Sequence, residues 1–522
     1  MNILPARFIV FFCVVLALGI MAHAVPADTI VQFNYNCYLN GIYAPVGSYQ
    51  VQLTDDLTPI TVENFLQYVN YDLYNNTFIH RAEHNRPYYG YDPDYHFVIQ
   101  GGGFEIVVDE NNHIVGADDI YTFDPIENES SSALSNVRGT IAMARTSDPD
   151  SATSQWYVNT VDNTFLDDQY GTNSGYTVFG RVVGEGMTLI DAIDNLPIYD
   201  LNSYLDPSGT YGSPFSQVPI LEYEDQYGVV HTYIPTVLSV DIISTSAWIG
   251  GSASGATNWG LAANWDPGSG VPNGAGVNLN LGTQAVENAV LDMISADRTV
   301  GNIYFSSDTS ITIQSTGAHT LNLNNNGSAS LVSVLGSHTI TAPVELHNNL
   351  LISGFNETGD LAISGAISGT GTLTAYNLGT LTLSGANTFD GPVNIYNATI
   401  KAAALDNLGA GTEINFDGGI LQFDGVFDPS VRTMTFLSGG ATLDTQDNDI
   451  TLANIIGNNG AGGLTKLGAG TLTLTSFNTF TGAVNFNEGL IKAAVLNNLG
   501  TGNALNFDGG GLQFDGVFDI SL

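Results

Sequence analysis

Positive charge is what this sequence has least of. Its 522 residues hold 11 Lys plus Arg against 51 Asp plus Glu, a formal net charge of −40 and a pI near 4.1. Phosphate binding needs clustered cations, so this balance argues against nucleic acid and anionic membrane as partners, and a dispersed acidic excess more often serves to keep an exported protein soluble. The three lysines, Lys401, Lys466 and Lys492, all fall in the last quarter, which leaves arginine as the only cation of the first 243 residues. Cysteine is scarcer still, with two in the chain. Long apolar runs are missing as well. The one stretch of note, Phe8 to Ile20, follows Arg7 and ends at the small residues Ala22-His23-Ala24. It is shorter than the roughly 20 residues that span a bilayer. Residues 1–24 therefore read as a signal peptide cleaved after Ala24, with an uncleaved anchor as the other reading. Cys13 leaves with that segment, so Cys37 stands alone and neither an intrachain disulfide nor a cysteine zinc site can form. A metal reading of His80, His84 and His96 lacks any ligand spacing. The sequence calls for no metal and no cofactor.

What is present is a set of blocks that read as a pocket. Phe78-Ile79-His80-Arg81 is followed by Phe97-Val98-Ile99-Gln100-Gly101-Gly102-Gly103, then by 139–146 (GTIAMART) and 154–157 (SQWY). Arg81 offers a permanently charged planar fork of donors, Gln100 both donates and accepts, and Phe97, Trp156 and Tyr157 supply apolar walls. No nucleophile and no acid/base pair accompanies them. A fixed cation beside an apolar slot suits a reaction in which no covalent bond is broken, such as rotation about a peptide bond.

These blocks, together with 161–168 (VDNTFLDD) and 176–186 (YTVFGRVVGEG), resemble the cyclophilin-type peptidyl-prolyl isomerases in order and spacing, above all their bacterial branch, over residues 28–243. The resemblance implies that Arg81 is the catalytic arginine and Gln100 its pocket glutamine. It implies further that Phe97, Val98, Ala144, Arg145, Tyr157, Phe165, Leu166 and Tyr176 bind the substrate, a proline-containing polypeptide. Two departures stand out. Residues 82–96 intervene where the family has only a short connection, and the pocket floor carries Tyr157, whose hydroxyl needs a partner if buried.

Patterning supports a mainly β chain with few helices. Tyr49, Val51 and Leu53 alternate as a strand, and Leu238, Val240 and Ile242 as a closing one. Thr58-Pro59 reads as the cap and first position of a helix whose face is Val62, Phe65, Leu66 and Val69; Met187, Ile190 and Ile193 give a second, stopped by Pro197. Residues 82–96 and 199–216 are rich in Tyr, Asp, Pro, Gly and Ser and read as ordered surface loop rather than core. With the resemblance, this implies a closed antiparallel β-barrel with two capping helices over 25–245.

Composition changes after that. A Gly/Ser/Asn/Trp-rich junction covers 246–285, and 286–522 is dominated by Leu, Ile, Val, Thr, Asn and Gly. Gly379-Thr-Leu-Thr-Leu returns at Gly470 and the block at Leu421 returns at Leu512, both at an offset of 91. Repetition of short apolar runs cut by Gly and Asn marks a solenoid. The stretch 462–489 resembles the autotransporter-associated β-strand repeat, which implies a right-handed parallel β-helix. Scaffold or display is the role this implies, since no catalytic pattern occurs in it and its partner is not written in the sequence. The repeat is cut at Leu522 without a capping unit, so a fragment of a longer protein or an exposed sheet edge is expected. The whole reads as an exported isomerase, in the periplasm, at the outer-membrane surface or outside the cell. The alternative is a binding module or adhesin that keeps the cyclophilin fold with little turnover.

Overall fold

The computed structural model of the chain describes residues 29–515, apart from 40–41, 85–95, 109–113, 169–173, 213, 225–229, 249–257, 266–269, 283–288, 308, 355–357 and 503. The signal-peptide segment 1–24 and most of the 82–96 insertion lie outside the described residues.

The first part is built on strands β1 (Ile30–Leu39), β2 (Ile42–Leu53), β3 (Arg81–His84) and β4 (His96–Gly101). It continues with a hairpin of β5 (Phe104–Val108) and β6 (Ile114–Asp119), then β7 (Thr140–Met143), β8 (Trp156–Asn159) and β9 (Val178–Val183). Short β10 (Ile198–Tyr199) and β11 (Val218–Pro219) precede β12 (Leu221–Glu224) and the long β13 (Val230–Ile243). Nine of these form one sheet in the order β12-β13-β1-β2-β9-β7-β8-β4-β3. Its ends meet, because Phe78 bridges Thr236 and the Val237 amide donates to the Thr77 carbonyl at 2.7 Å. Closure there pairs backbone groups that an open sheet would leave at its edge. Inside lie Phe33, Tyr49, Phe65, Trp156 and Phe179, all buried, with Phe33 stacked on Tyr49 at 4.9 Å and edge-on to Trp156 at 5.0 Å.

Helix α1 (Pro59–Asn70) buries Val62, Phe65 and Val69 as the periodicity predicts, and α2 (Gly186–Asp194) buries Met187, Ile190 and Ile193. The start of α1 differs from expectation. Thr58 makes no side-chain cap and its hydroxyl pairs with that of Thr54 at 2.8 Å. The free amides of Ile60 and Thr61 are taken instead by the Glu129 carboxylate, at 3.1 and 2.7 Å, which brings negative charge to the positive end of the helix.

Two further expectations are corrected. Residues 199–216 are not all surface loop, because α3 (Asn202–Leu205) turns Leu205 into a satellite core with Phe78, Phe104 and Phe215, the last fully buried. In β13 only Val240 of the three alternating residues is buried. A bulge opposite Asn34/Tyr35 leaves Leu238 unpaired, so that Val237 takes the inward place and Leu238 is exposed; Ile242, paired with the buried Val31, is itself exposed near the end of the strand.

The 246–285 stretch opens the second part of the chain. Strand β14 (Thr245–Ala247) starts two residues after β13 ends, and it pairs in parallel with β15 (Asn278–Leu281). Trp248, Trp259 and Trp265 are buried at this end, with the Trp265 indole donating to the Trp259 carbonyl at 2.7 Å. From here the chain coils as a parallel solenoid with one ten-stranded, one eleven-stranded and two four-stranded sheets. Strands such as 380–383 and 471–474 alternate half-buried Thr with buried Leu, which fills the axis with apolar side chains. Asn recurs because it ties turns together. The carboxamide oxygen of Asn407 accepts the amides of Ala403 and Ala404 at 3.0 and 2.9 Å, and its nitrogen donates to Gly385 one turn back at 2.9 Å.

The barrel and solenoid share a seam in which Ile30, Val183 and Tyr304 are buried together and the Tyr304 hydroxyl donates to Gln50 at 2.9 Å.

Candidate functional site

Strand register assembles the site. Arg81 on β3 pairs with Gln100 on β4, Gln100 with Tyr157 on β8, Tyr157 with Ala142 on β7, and Ala142 with Val178 on β9. These five residues form one row on the outer face of the barrel, since alternate residues on a strand point to opposite sides. Their neighbours Ile99, Val158, Ile141 and Phe179 point into the core. The glycine run after Gln100 allows close approach of β8. Gly102 has φ +76°, and a Cβ there would meet the Trp156 indole at 2.6 Å.

Around the row lies a cavity of about 150 Å³ lined by Arg81, Phe97, Val98, Gln100, Ala144, Arg145, Tyr157, Leu166 and Tyr176. Nine of the ten residues singled out from the sequence thus share one wall. The tenth, Phe165, stands outside it, 62 % exposed, with its ring stacked on Phe97 at 5.7 Å. A larger cavity of about 350 Å³ lies at the barrel–solenoid seam between Gln52, Arg181 and Leu335 and contains none of these side chains. The site is therefore chosen by its residues and not by its size.

The cations are held firmly. Arg81 donates from Nη1 to Gln100 Oε1 at 3.1 Å, pairs through Nη2 with the Glu83 carboxylate, and lies 5.9 Å from the centre of the Phe97 ring. Gln100 passes the chain on, donating to Gln155 at 2.8 Å. Arg145 lies over the Tyr176 ring at 4.3 Å and donates to the carbonyls of Thr146, Ser174 and Gly175. The Tyr157 hydroxyl has the partner it needs, donating to Asn136 Oδ1 at 2.7 Å, while the Asn136 amides donate to Asp167. Sequence reading missed Glu83, Asn136 and Asp167. Glu83 had one signal, its place two residues after Arg81, but it sits where the β3–β4 register shifts and in a stretch that reads as loop.

Nothing perturbed here titrates near neutrality. Burial raises the Tyr157 phenol well above its ordinary 10, so it stays protonated. Burial, reinforced by the Arg81 charge, lowers His80 from 6.5 to about 3. Between those two values the unfolded chain binds a proton that the folded one excludes. This contribution to stability is intact above pH 6.5 and is lost as pH falls toward 3, at a limiting slope of about 1.4 kcal/mol per pH unit. His80→Gln should accordingly show a smaller drop in urea midpoint between pH 7 and pH 4.5 than the parent; an equal drop would contradict this assignment. Among the described residues no three His, Cys, Asp or Glu side chains cluster as metal ligands, and no helix is long and apolar enough to cross a membrane.

The site is thus a fixed guanidinium beside an apolar slot on the outer face of a helix-capped β-barrel. Comparison with known proteins names the class. The profile of the cyclophilin type peptidyl-prolyl cis-trans isomerases matches residues 42–222, and that of the passenger-associated-transport repeat matches 373–402 and 464–492. A peptidyl-prolyl cis-trans isomerase of Acinetobacter baylyi is 41 % identical over 178 residues, 34 % of this chain and 78 % of that protein. Peptidyl-prolyl cis-trans isomerase B of Escherichia coli is 41 % identical over 151 residues, 28 % of this chain and 78 % of that protein. The chain belongs to the cyclophilin-type peptidyl-prolyl cis-trans isomerases, and it carries an autotransporter-type repeat region after the isomerase region. The chain is also similar to the adhesin BmaC autotransporter of Brucella suis, 31 % identical over 237 residues, 37 % of this chain and 7 % of the adhesin.

Proposed function

We propose that this chain is an exported isomerase that assists protein folding from a β-solenoid scaffold, with the division between the two parts at about residue 245. The single observation that carries the reading is the cross-strand row from Arg81 to Val178, which puts a cation at one end of an apolar slot. The uncatalysed step is slow because amide resonance gives a barrier of about 18–20 kcal/mol. In this reading the proline ring sits among Phe97, Val98, Tyr157 and Leu166, and Ala144 and Arg145 flank the residue before it. Tyr176 and Phe165 form the outer rim. Arg81, oriented by Gln100, then donates toward the proline nitrogen as twisting returns electron density to it. The work is electrostatic stabilisation of a transition state, not proton transfer.

Export is supported by the apolar leader, by the passenger-associated-transport repeats and by the likeness of the chain to an autotransporter adhesin. It puts the protein in the periplasm, at the outer surface or outside the cell, where the solenoid holds the barrel in place. Two experiments test these halves. Catalytic amounts of the protein should accelerate the proline-limited refolding of an unrelated protein, and an unchanged slow phase would argue against a folding role. The mature N-terminus of the exported protein should be Val25; an intact leader in the cytoplasm would sink the export reading.

A further inference from the structure

Glu83 is a charged group in the site that pocket binding leaves unexplained. It lies two residues after Arg81 on β3, where the register with β4 shifts between Ala82 and His84, and its carboxylate reaches back to the guanidinium. Only 4 % of its side chain is exposed, against 36 % for Arg81, and its carboxylate pairs directly with Nη2 of the guanidinium. The opposite terminal nitrogen is engaged by Gln100, which is itself tied to Gln155. The guanidinium therefore meets a substrate with a buried anion already on one edge.

We propose that Glu83 is a positioning and charge-tuning residue that restrains the isomerase, setting turnover below what the same pocket reaches with a neutral side chain at this position. The inference rests on the reading of Arg81 as the electrostatic catalyst. In the planar amide, resonance leaves the nitrogen partly positive and the oxygen partly negative. Twisting the bond reverses that transfer, so the nitrogen gains negative charge in the transition state. A cation beside the nitrogen favours the twisted form, and an anion paired with that cation opposes it by cancelling part of its field. Gln at position 83 would keep the length of the side chain and an oxygen to accept from Nη2 while removing the charge. A purely structural Glu83 would leave turnover unchanged or lower it when altered. Charge tuning requires turnover to rise.

The test is steady-state kinetics on a proline peptide with the full chain, comparing the parent, Glu83→Gln, Arg81→Ala and the double variant. Glu83→Met, similar in volume and also uncharged, serves as a second probe should the glutamine variant fold poorly. Glu83→Gln should raise kcat about tenfold, the change that 1.36 kcal/mol produces, with KM altered less than about twofold. In the Arg81→Ala background the same change should have no effect on kcat, because there is no cation left to tune. If Arg81→Ala is slow and neither Glu83 variant is faster than the parent, the proposal for Glu83 is overturned while the reading of Arg81 stands. If Arg81→Ala turns over at the parent rate, both are overturned.

Discussion

Arg81→Ala should lower kcat/KM for a proline peptide roughly 10- to 150-fold. Hydrogen bonds from a charged donor contribute about 1.5–3 kcal/mol, and each 1.36 kcal/mol is a factor of ten in rate. The loss should fall mainly on kcat if the contact forms chiefly in the transition state. The variant also strips an ion-pair partner from the nearly buried Glu83 carboxylate, so some stability is lost with it. Arg81→Ala/Glu83→Gln separates the two effects: stability should recover toward the parent value while turnover stays low. Recovery of turnover along with stability would show that Arg81 holds the fold and does not act on the substrate.

The second large effect lies in the solenoid and should leave catalysis untouched. Phe389 is fully buried, and Gly409 on the next turn sits against its ring so closely that a Cβ there would lie 2.7–2.8 Å from three ring carbons. Gly409 also has φ +78°, which an L side chain rarely adopts. Phe480 and Gly500, each 91 residues further on, repeat the arrangement. Phe389→Ala removes a ring that nothing else can fill, at a cost of about 3–5 kcal/mol. A solenoid is held by contacts between neighbouring turns, so the damage should be local. Hydrogen exchange should show protection lost around 367–414, with isomerase turnover at the parent rate. Unchanged protection there would mean that the Phe389 ring does not hold the turns together.

How much of this was legible in the sequence depends on what kind of interaction was being read. The pocket side chains were legible because they come from contiguous blocks, and strand alternation then puts Arg81, Gln100 and Tyr157 on one face. Partners that arrive from distant segments left no local trace. Glu129 caps a helix from 68 residues away, Asn136 satisfies Tyr157 across 21 residues, and Asp167 holds Asn136 across 31. The bulge that exposes Leu238 is likewise invisible to a period-2 pattern, because one extra residue shifts the parity of the strand. The loop 199–216 hid Phe215 behind a polar composition.

The repeats misled in a subtler way. Repeated segments need not fall on identical faces: strands 373–376 and 380–383 lie in the ten- and eleven-stranded sheets, whereas their counterparts 464–467 and 471–474 lie in the eleven-stranded sheet and a four-stranded one. An offset of 91 residues therefore does not close on a whole number of turns. Each copy only has to bury its own Leu and Ile against whichever neighbour lies below, which explains how the motif tolerates the change of face.

The central claim is that the barrel's outer pocket is a working isomerase site. The direct measurement is two-dimensional exchange NMR on a short proline peptide with the intact chain at a small fraction of the peptide concentration. Cis–trans exchange should rise from tens of seconds per event to a rate visible on the NMR timescale and fall back in Arg81→Ala. Peptide resonances that shift or broaden through binding, with no added cis–trans exchange, would contradict the claim and leave a cyclophilin fold that only holds its ligand.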